Sequence, residues 1–424
     1  MAPSALRKMK ARGGTWSNLW QRFGFFTESQ KQIITALRER GPVIWMHAVS
    51  VGEVGIARKL IAEMLRRQPK LRFVLSTTTP TGFALAKEYA ERDPQQLVVI
   101  YNPLDGWFSV RRCFDLICPA KLVLVEAELW PNLLSTATRR GIPVELVNAR
   151  LSPRSERRYT KFNVIVRPIF QMLDRVLVQE PEDVARWGAL GVDRARIEHT
   201  GSIKFDLHGL REPVEKIARF RKLLESVGWT SAQPVLLAAS THDGEEIEIT
   251  RVFMQLRTKH PGLFLIIVSR HVERSAKIEN DLRSTGLNIA RRSVLEKELN
   301  TGNLLDILLV DTTGELRAWQ YLATMVVIGK SFLATGGQNP AEALMAGKPV
   351  VFGPHMENFD ALVRMLLQKH GAIEVQDFEQ LVPCIHHLLE NPDEAAKIAN
   401  AGREALRAHE GATQRVAERL LAPE

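Results

Sequence analysis

The stretch VIWMHAVSVGEVGIARKLIAEMLRRQ, residues 43–68, runs from an apolar segment through a Gly-bearing turn into a helical pattern. Strand, tight turn and helix form the unit of nucleotide-binding α/β folds. There the turn offers backbone N–H groups to phosphate, because a helix N-terminus favours an anion. This turn carries Glu53. A carboxylate repels phosphate, so the residue calls for a different chemistry.

Working outward, the same unit recurs. VIWMHAV, RFVLST, LVVIY, KLVLVEA, PVELVNA and RVLVQ are short runs rich in Val, Ile and Leu, separated by amphipathic stretches such as 53–68 and 81–92. Continuous apolar strands between helices imply a parallel sheet covered on both faces. A polar, Gly-bearing break at 201–220, GSIKFDLHGLREPVEKIARF, ends this series. PVLLAAS, LFLIIVS, DILLVDT, ATMVVIG and KPVVFG then form a second one. The pattern predicts an α/β protein with two doubly wound domains, 30–205 and 206–405, facing each other across a cleft. Residues 1–29 precede them, and a C-terminal helix, 406–424, is expected to pack back on the first domain. Ligands of such sheets sit outside the carboxyl ends of the strands, where Glu53, Glu126 and Ser240 fall.

The 424 residues suffice for two cores, and 45% hydrophobic with 25% charged residues describes a globular chain. Lys plus Arg number 57 against 48 Asp plus Glu, a net charge of +9 that suits an anionic partner or is a background excess. Cys113, Cys118 and Cys384 are too few and too scattered for a disulfide framework or a cysteine zinc site, and fit a reducing cytosol. No stretch reaches the roughly 18 apolar residues of a spanning helix. Near the start, Arg7, Lys8, Lys10, Arg12 and Arg22 interleave with Trp16, Trp20, Phe23, Phe25 and Phe26. That mixture suits the headgroup region of a membrane, and equally a packed helix with a solvated basic face.

Gly329, Lys330 and Ser331 invite a P-loop reading, but the Gly required five residues before Gly329 is Thr324, inside an apolar strand. GxGxxG, HExxH and GxSxG are absent. GGQNPAEALMAGKPVVFGP, 336–354, is more telling. Gly336 and Gly337 allow close backbone approach, Pro340 suits a first helical turn, and Glu342 offers two acceptors to a ribose diol. The alternative is a capped surface helix with a solvated Glu. Arg270, after a strand in SRHVER, can pair with a phosphate or start a surface helix. DTTGEL, 311–316, resembles a helix cap made by Thr313 and Glu315. Glu126 and Glu128 share one face at a strand end, which is costly unless they are paired, solvated or employed. Lys204 lies at the domain junction.

In order along the chain, WMHAVSVGEV, LSTTTPTG, EAELWPNLL, NARLS, GSIKFD, ASTHDGEE, SRHVER, DTTGEL and GGQNPAEALMAGKPVVFGPHMENF occur between residues 40 and 375. Together they resemble the 3-deoxy-D-manno-octulosonic acid (Kdo) transferases of lipopolysaccharide synthesis. The resemblance implies a GT-B fold and transfer of Kdo from CMP-Kdo to the lipid A precursor, with inversion and without a required metal or other cofactor. It implies Glu53 as general base, and Glu126 and Lys204 as stabilisers of an oxocarbenium-like state. It implies CMP contacts from Ser269, Arg270, Thr313, Gly314, Glu315, Asn339, Pro340, Ala341 and Glu342. The implied place of action is the cytoplasmic face of the bacterial inner membrane, with no nucleic-acid partner. The chain departs from the family pattern at Lys330 (usually Gly), Gln338 (usually His) and Ala343 (often Pro). It also lacks the hydrophobic anchor helix with which the family often begins, so a peripheral form or a shortened start is expected. Two other readings stay open: a GT-B transferase or 2-epimerase using a UDP-sugar, and a non-catalytic basic protein binding membrane or nucleic acid.

Overall fold

A computed structural model describes residues 16–126, 130–151, 153–206, 212–295 and 304–422. The chain divides into two compact units: Met1–His208 with His409–Glu424, and Gly209–Ala408. Each is built on one seven-stranded, all-parallel sheet.

In the first unit the strands are β1 (Val43–His47), β2 (Arg72–Thr77), β3 (Leu97–Tyr101), β4 (Lys121–Val125), β5 (Val144–Ala149), β6 (Arg175–Val178) and β7 (Ile197–His199). Their order is β3-β2-β1-β4-β5-β6-β7, so the winding reverses between β1 and β4. All five residues of β1 are buried, as expected of a strand covered on both faces. Period-two alternation shares them between two cores: Val43 and Trp45 join Leu122, Leu124 and Phe114 on one face. Ile44 and Met46 join Phe73, Val123 and Leu60 on the other. Truncating Leu60, which is fully buried, to Ala would cost about 2–5 kcal/mol.

The helix Val51–Arg67 follows β1, and its Ser50 N-cap accepts from the Glu53 amide. The last helix of the chain, Ala412–Leu421, adds Val416, Ala417 and Leu420 to the same core. The chain therefore leaves the first unit and returns to complete it.

The second unit contains β8 (Val235–Thr241), β9 (Phe264–Ser269), β10 (Ile289–Arg291), β11 (Ile307–Val310), β12 (Met325–Ile328), β13 (Val350–Phe352) and β14 (Ile373–Glu374), ordered β10-β11-β9-β8-β12-β13-β14. Here the reversal lies between β8 and β12. Both sheets are Rossmann-like, the architecture of the GT-B class. Among the described residues no helix is long and apolar enough to cross a membrane.

Candidate active site

At the carboxyl end of sheet one, the chain uses the point of reversal. Glu53 stands one turn into the helix after β1, and Glu126 follows β4, the neighbouring strand. Glu53 is 7% exposed. Its Oε2 accepts from the Val49 amide at 2.7 Å and its Oε1 from the Ser50 hydroxyl at 2.8 Å. The Ser50 Oγ in turn caps the Glu53 amide at 3.4 Å. This is a variant of the capping box, with S-x-x-E spacing. The carboxylate is thereby fixed at both oxygens.

Glu126 is half-buried and holds a left-handed backbone, φ 65°. Such conformations in non-Gly residues are costly and concentrate at working sites. Burial pushes the Glu126 carboxyl above the usual carboxylate range, and the charges of Lys204 and Arg150 pull it down. Burial lowers the Lys204 ammonium, Glu126 raises it, and Arg150 lowers it further. Glu126, Lys204 and Arg150 thus form one coupled group. Glu128, like Arg7, Lys8, Lys10 and Arg12, lies outside the described residues.

The loop bearing Lys204 is clamped from several sides. The Ile203 amide donates to Asn148 Oδ1 at 2.8 Å, and Lys59 Nζ donates to the Ile203 and Asp206 carbonyls, each at 3.0 Å. Ser202 N–H donates to His409 Nδ1 at 3.1 Å. The Asp206 carboxylate accepts from the Gly411 and Thr413 amides at 3.0 and 2.7 Å, capping the returning helix. Nothing in the sequence around His409 signalled this role.

Sheet two is organised by a residue that motif reading passed over. Glu245 is fully buried at the start of the helix Glu245–Arg257. It accepts from the amides of His242 (2.9 Å), Lys330 (2.6 Å) and Phe332 (3.2 Å). It thus ties the loop after β8 to the loop after β12. Gly329 is required there, because a Cβ would lie 2.5 Å from the Thr241 Cα. Lys330 adopts φ 56°, a region that favours glycine, which accounts for the Gly expected at this place. Ser331 is fully buried, donates to the Ile328 carbonyl at 2.6 Å and accepts from the Gly353 amide at 2.8 Å. The GKS triplet is a strand crossing and not a phosphate loop.

Of the residues expected to hold CMP, Ser269 ends β9 and donates to the His271 carbonyl at 3.2 Å. Arg270 is exposed and forms no ion pair among the described residues. In DTTGEL the cap differs from the expectation. Thr312, not Thr313, donates to Glu315 Oε2 at 2.6 Å. Arg292 Nε also lies 2.9 Å from that oxygen. The Glu315 side chain is therefore committed, while Thr313 and Gly314 are exposed. Pro340 is the N-cap of the helix Ala341–Met345, one residue earlier than a first-turn position. Its missing N–H costs nothing there either. The Asn339 Oδ1 takes the Ala341 amide at 3.1 Å. Gly337 has φ 64°, and a Cβ on it would meet the Met356 sulfur. Glu342 is half-buried, and its carboxylate accepts from no described residue.

Residues 17–207 match the family model described as 3-deoxy-D-manno-octulosonic-acid transferase (kdotransferase). A curated 3-deoxy-D-manno-octulosonic acid transferase of Haemophilus influenzae is 34% identical over 381 residues, 90% of this chain and 86% of the relative. This chain belongs to the Kdo transferase family. A second relative of that name, from Bordetella pertussis, is 34% identical over 89% of this Kdo transferase and 86% of its own length. Family membership makes the chain a glycosyltransferase. The structure of a UDP-GlcNAc 2-epimerase from Neisseria meningitidis superposes with a TM-score of 0.56 over 90% of this chain and 99% of the other. At 14% identity that likeness is one of fold.

Proposed function

We propose that this Kdo transferase moves Kdo from CMP-Kdo to the lipid A precursor, lipid IVA, with inversion, at the cytoplasmic face of the inner membrane. The observation that best supports the reading is that Glu53 and Glu126 follow the neighbouring strands β1 and β4 at the point of reversal of sheet one, with the charge of Lys204 acting on Glu126. Glu53 takes the proton of the incoming sugar hydroxyl as its oxygen bonds to the Kdo anomeric carbon. The bond from that carbon to the CMP phosphate breaks, and CMP leaves with the electron pair. The fixed carboxylate supports this role, since a base must be held within hydrogen-bond reach of its proton. Glu126 and Lys204 act on the charge that develops in the transition state.

CMP is held in the second unit by Ser269, Arg270, Thr313 and Gly314, and by Asn339, Pro340, Ala341 and Glu342. Glu342 takes the ribose hydroxyls, a role its uncommitted carboxylate supports. Glu315 acts there through its backbone and through its support of the loop. Cations and amides balance the leaving phosphate, so the reading calls for no metal, and transfer persists in chelator.

Access to a glycolipid is supported by the surface of the first unit. Trp107 and Phe108 are exposed where the helix Trp107–Ile117 begins after β3, beside exposed Trp20 and Phe25. The Arg112 guanidinium lies 4.1 Å from the Phe25 ring centroid and 4.8 Å from that of Phe108. After β5, exposed Phe162, Val164 and Ile165 adjoin exposed Arg157, Arg158 and Lys161. Aromatic and aliphatic tips among cations suit an anionic headgroup layer.

The deciding experiment mixes the protein with CMP-Kdo and lipid IVA and looks by mass for the Kdo adduct. Its absence, with CMP binding intact, would overturn the acceptor assignment. Turnover of a UDP-sugar in its place would favour the epimerase-like alternative.

A further inference from the structure

At the amino end of sheet two, on the far side of the strands from the loops just described, three potential ligands converge. His260 lies between the helix Glu245–Arg257 and β9, and its backbone is fixed on both sides. Its amide donates to the Leu256 carbonyl and its carbonyl accepts from Leu263, both at 2.9 Å. His386 and Glu390 stand four residues apart on the helix Phe378–Glu390, and therefore on one face of it. That helix buries Leu381, Ile385 and Leu388 in the core shared with Ile249, Phe253 and Leu256. Both supports are thus packed against one another and rigid.

The ligand atoms of the three side chains all lie within 4.8 Å of one another. His260 Nε2 and His386 Nδ1 are 2.8 Å apart, and Glu390 Oε1 is 3.7 Å from the other nitrogen of His260. We propose that His260, His386 and Glu390 bind a divalent transition-metal ion of the Zn²⁺ class. Two imidazoles and a carboxylate are a ligand set that zinc accepts, with water in the fourth position. Zinc–nitrogen bonds of about 2.0–2.1 Å at a tetrahedral angle need nitrogens about 3.3 Å apart. The two nitrogens must therefore open by about half an ångström, and the Glu390 carboxylate, on an exposed side chain, must swing from beside His260 Nδ1 toward Nε2. Ca²⁺ and Mg²⁺, which prefer oxygen, are excluded by the same chemistry.

The ion would join the carboxyl end of the helix that begins at Glu245 to the helix Phe378–Glu390. Its role is structural: it fastens the second unit and takes no part in transfer. Binding to the folded chain alone would stabilise it in proportion to the logarithm of free metal concentration.

The test uses the full chain, stripped of metal by chelator and titrated with Zn²⁺ by calorimetry and with Co²⁺ by visible absorption. One strong site per chain is expected, with the intense Co²⁺ bands of tetrahedral coordination and a rise in melting temperature. His386→Ala and His260→Ala should each weaken binding about tenfold or more. His387→Ala, on the neighbouring exposed histidine, should leave it unchanged. Unaltered CMP binding in the variants would confirm that they are folded. Equal Zn²⁺ affinity in wild type and His386→Ala, or Mg²⁺ binding as strong as Zn²⁺, would overturn the proposal.

Discussion

Ser50 and Glu53 hold one another: the serine hydroxyl donates to the carboxylate at 2.8 Å, and its oxygen takes the glutamate amide at 3.4 Å. One pair of side chains thereby starts a helix and aims a candidate base. The two roles are separable by substitution. Glu53→Gln keeps the shape and one acceptor oxygen but cannot take a proton. Transfer should fall by at least about 10², in kcat. Stability should fall by no more than about 1 kcal/mol, the scale of a weakened cap. Transfer within a fewfold of wild type in a Kdo-adduct assay would remove Glu53 from the chemistry.

Lys204→Met tests the coupled group. Lys204 draws the Glu126 carboxyl downward against the effect of burial. Without it, that carboxyl titrates at higher pH. If the ionised carboxylate supports transfer, the acid limb of the pH–rate profile moves to higher pH, and activity is lost first at the acid end. A profile that drops uniformly without moving would mean that Lys204 acts on substrate and not through Glu126.

Removal of the Glu342 carboxylate by Glu342→Ala should weaken CMP binding without unfolding the second unit. Charge-assisted hydrogen bonds to the ribose are worth about 1.5–3 kcal/mol, or roughly 10- to 150-fold in Kd. Calorimetric titration with CMP measures this directly, and an unchanged Kd would return Glu342 to the status of a solvated surface residue.

Vesicle co-sedimentation addresses the membrane. Replacing Arg7, Lys8, Lys10 and Arg12 by Glu should release the protein from phosphatidylglycerol vesicles at low salt, at about 1 kcal/mol per basic residue. Trp107→Ser with Phe108→Ser should reduce the binding that survives at high salt, because burial of apolar area is not screened. CMP affinity should be untouched in both. Equal sedimentation of all forms at every salt concentration would assign the basic excess elsewhere.

The strand–turn–helix alternation and the restart after 201–220 were legible in the sequence because a parallel strand covered on both faces leaves an unbroken apolar signature. VIWMH and FLIIV, the latter with its closing Ser269, are wholly buried strands. Glu53, Glu126 and Lys204 stood out as candidates because each follows a strand or a junction. Hydrogen-bond partners within the loops were not. Thr312 and Thr313 differ only in which hydroxyl the local turn directs inward, and composition says nothing of that. Glu245 reads as one acid in an acidic helix start, yet the fold turns it into the anchor of three amides. His409 meets Ser202, and Asp206 meets Gly411 and Thr413, each across some two hundred residues of chain, a separation over which no local pattern operates.

The return of the chain to its first unit has a consequence for the order of synthesis. Domains generally fold as they emerge, amino-terminal first. Here the unit bearing Glu53 lacks the helix Ala412–Leu421 and its contacts to Asp206 until the other unit has been made in full. The second unit can finish before the unit that was begun first. A nascent chain thus carries a Lys204 loop that lacks its contacts to His409, Gly411 and Thr413 until those residues are made, so the loop is set only after the second unit has been synthesised.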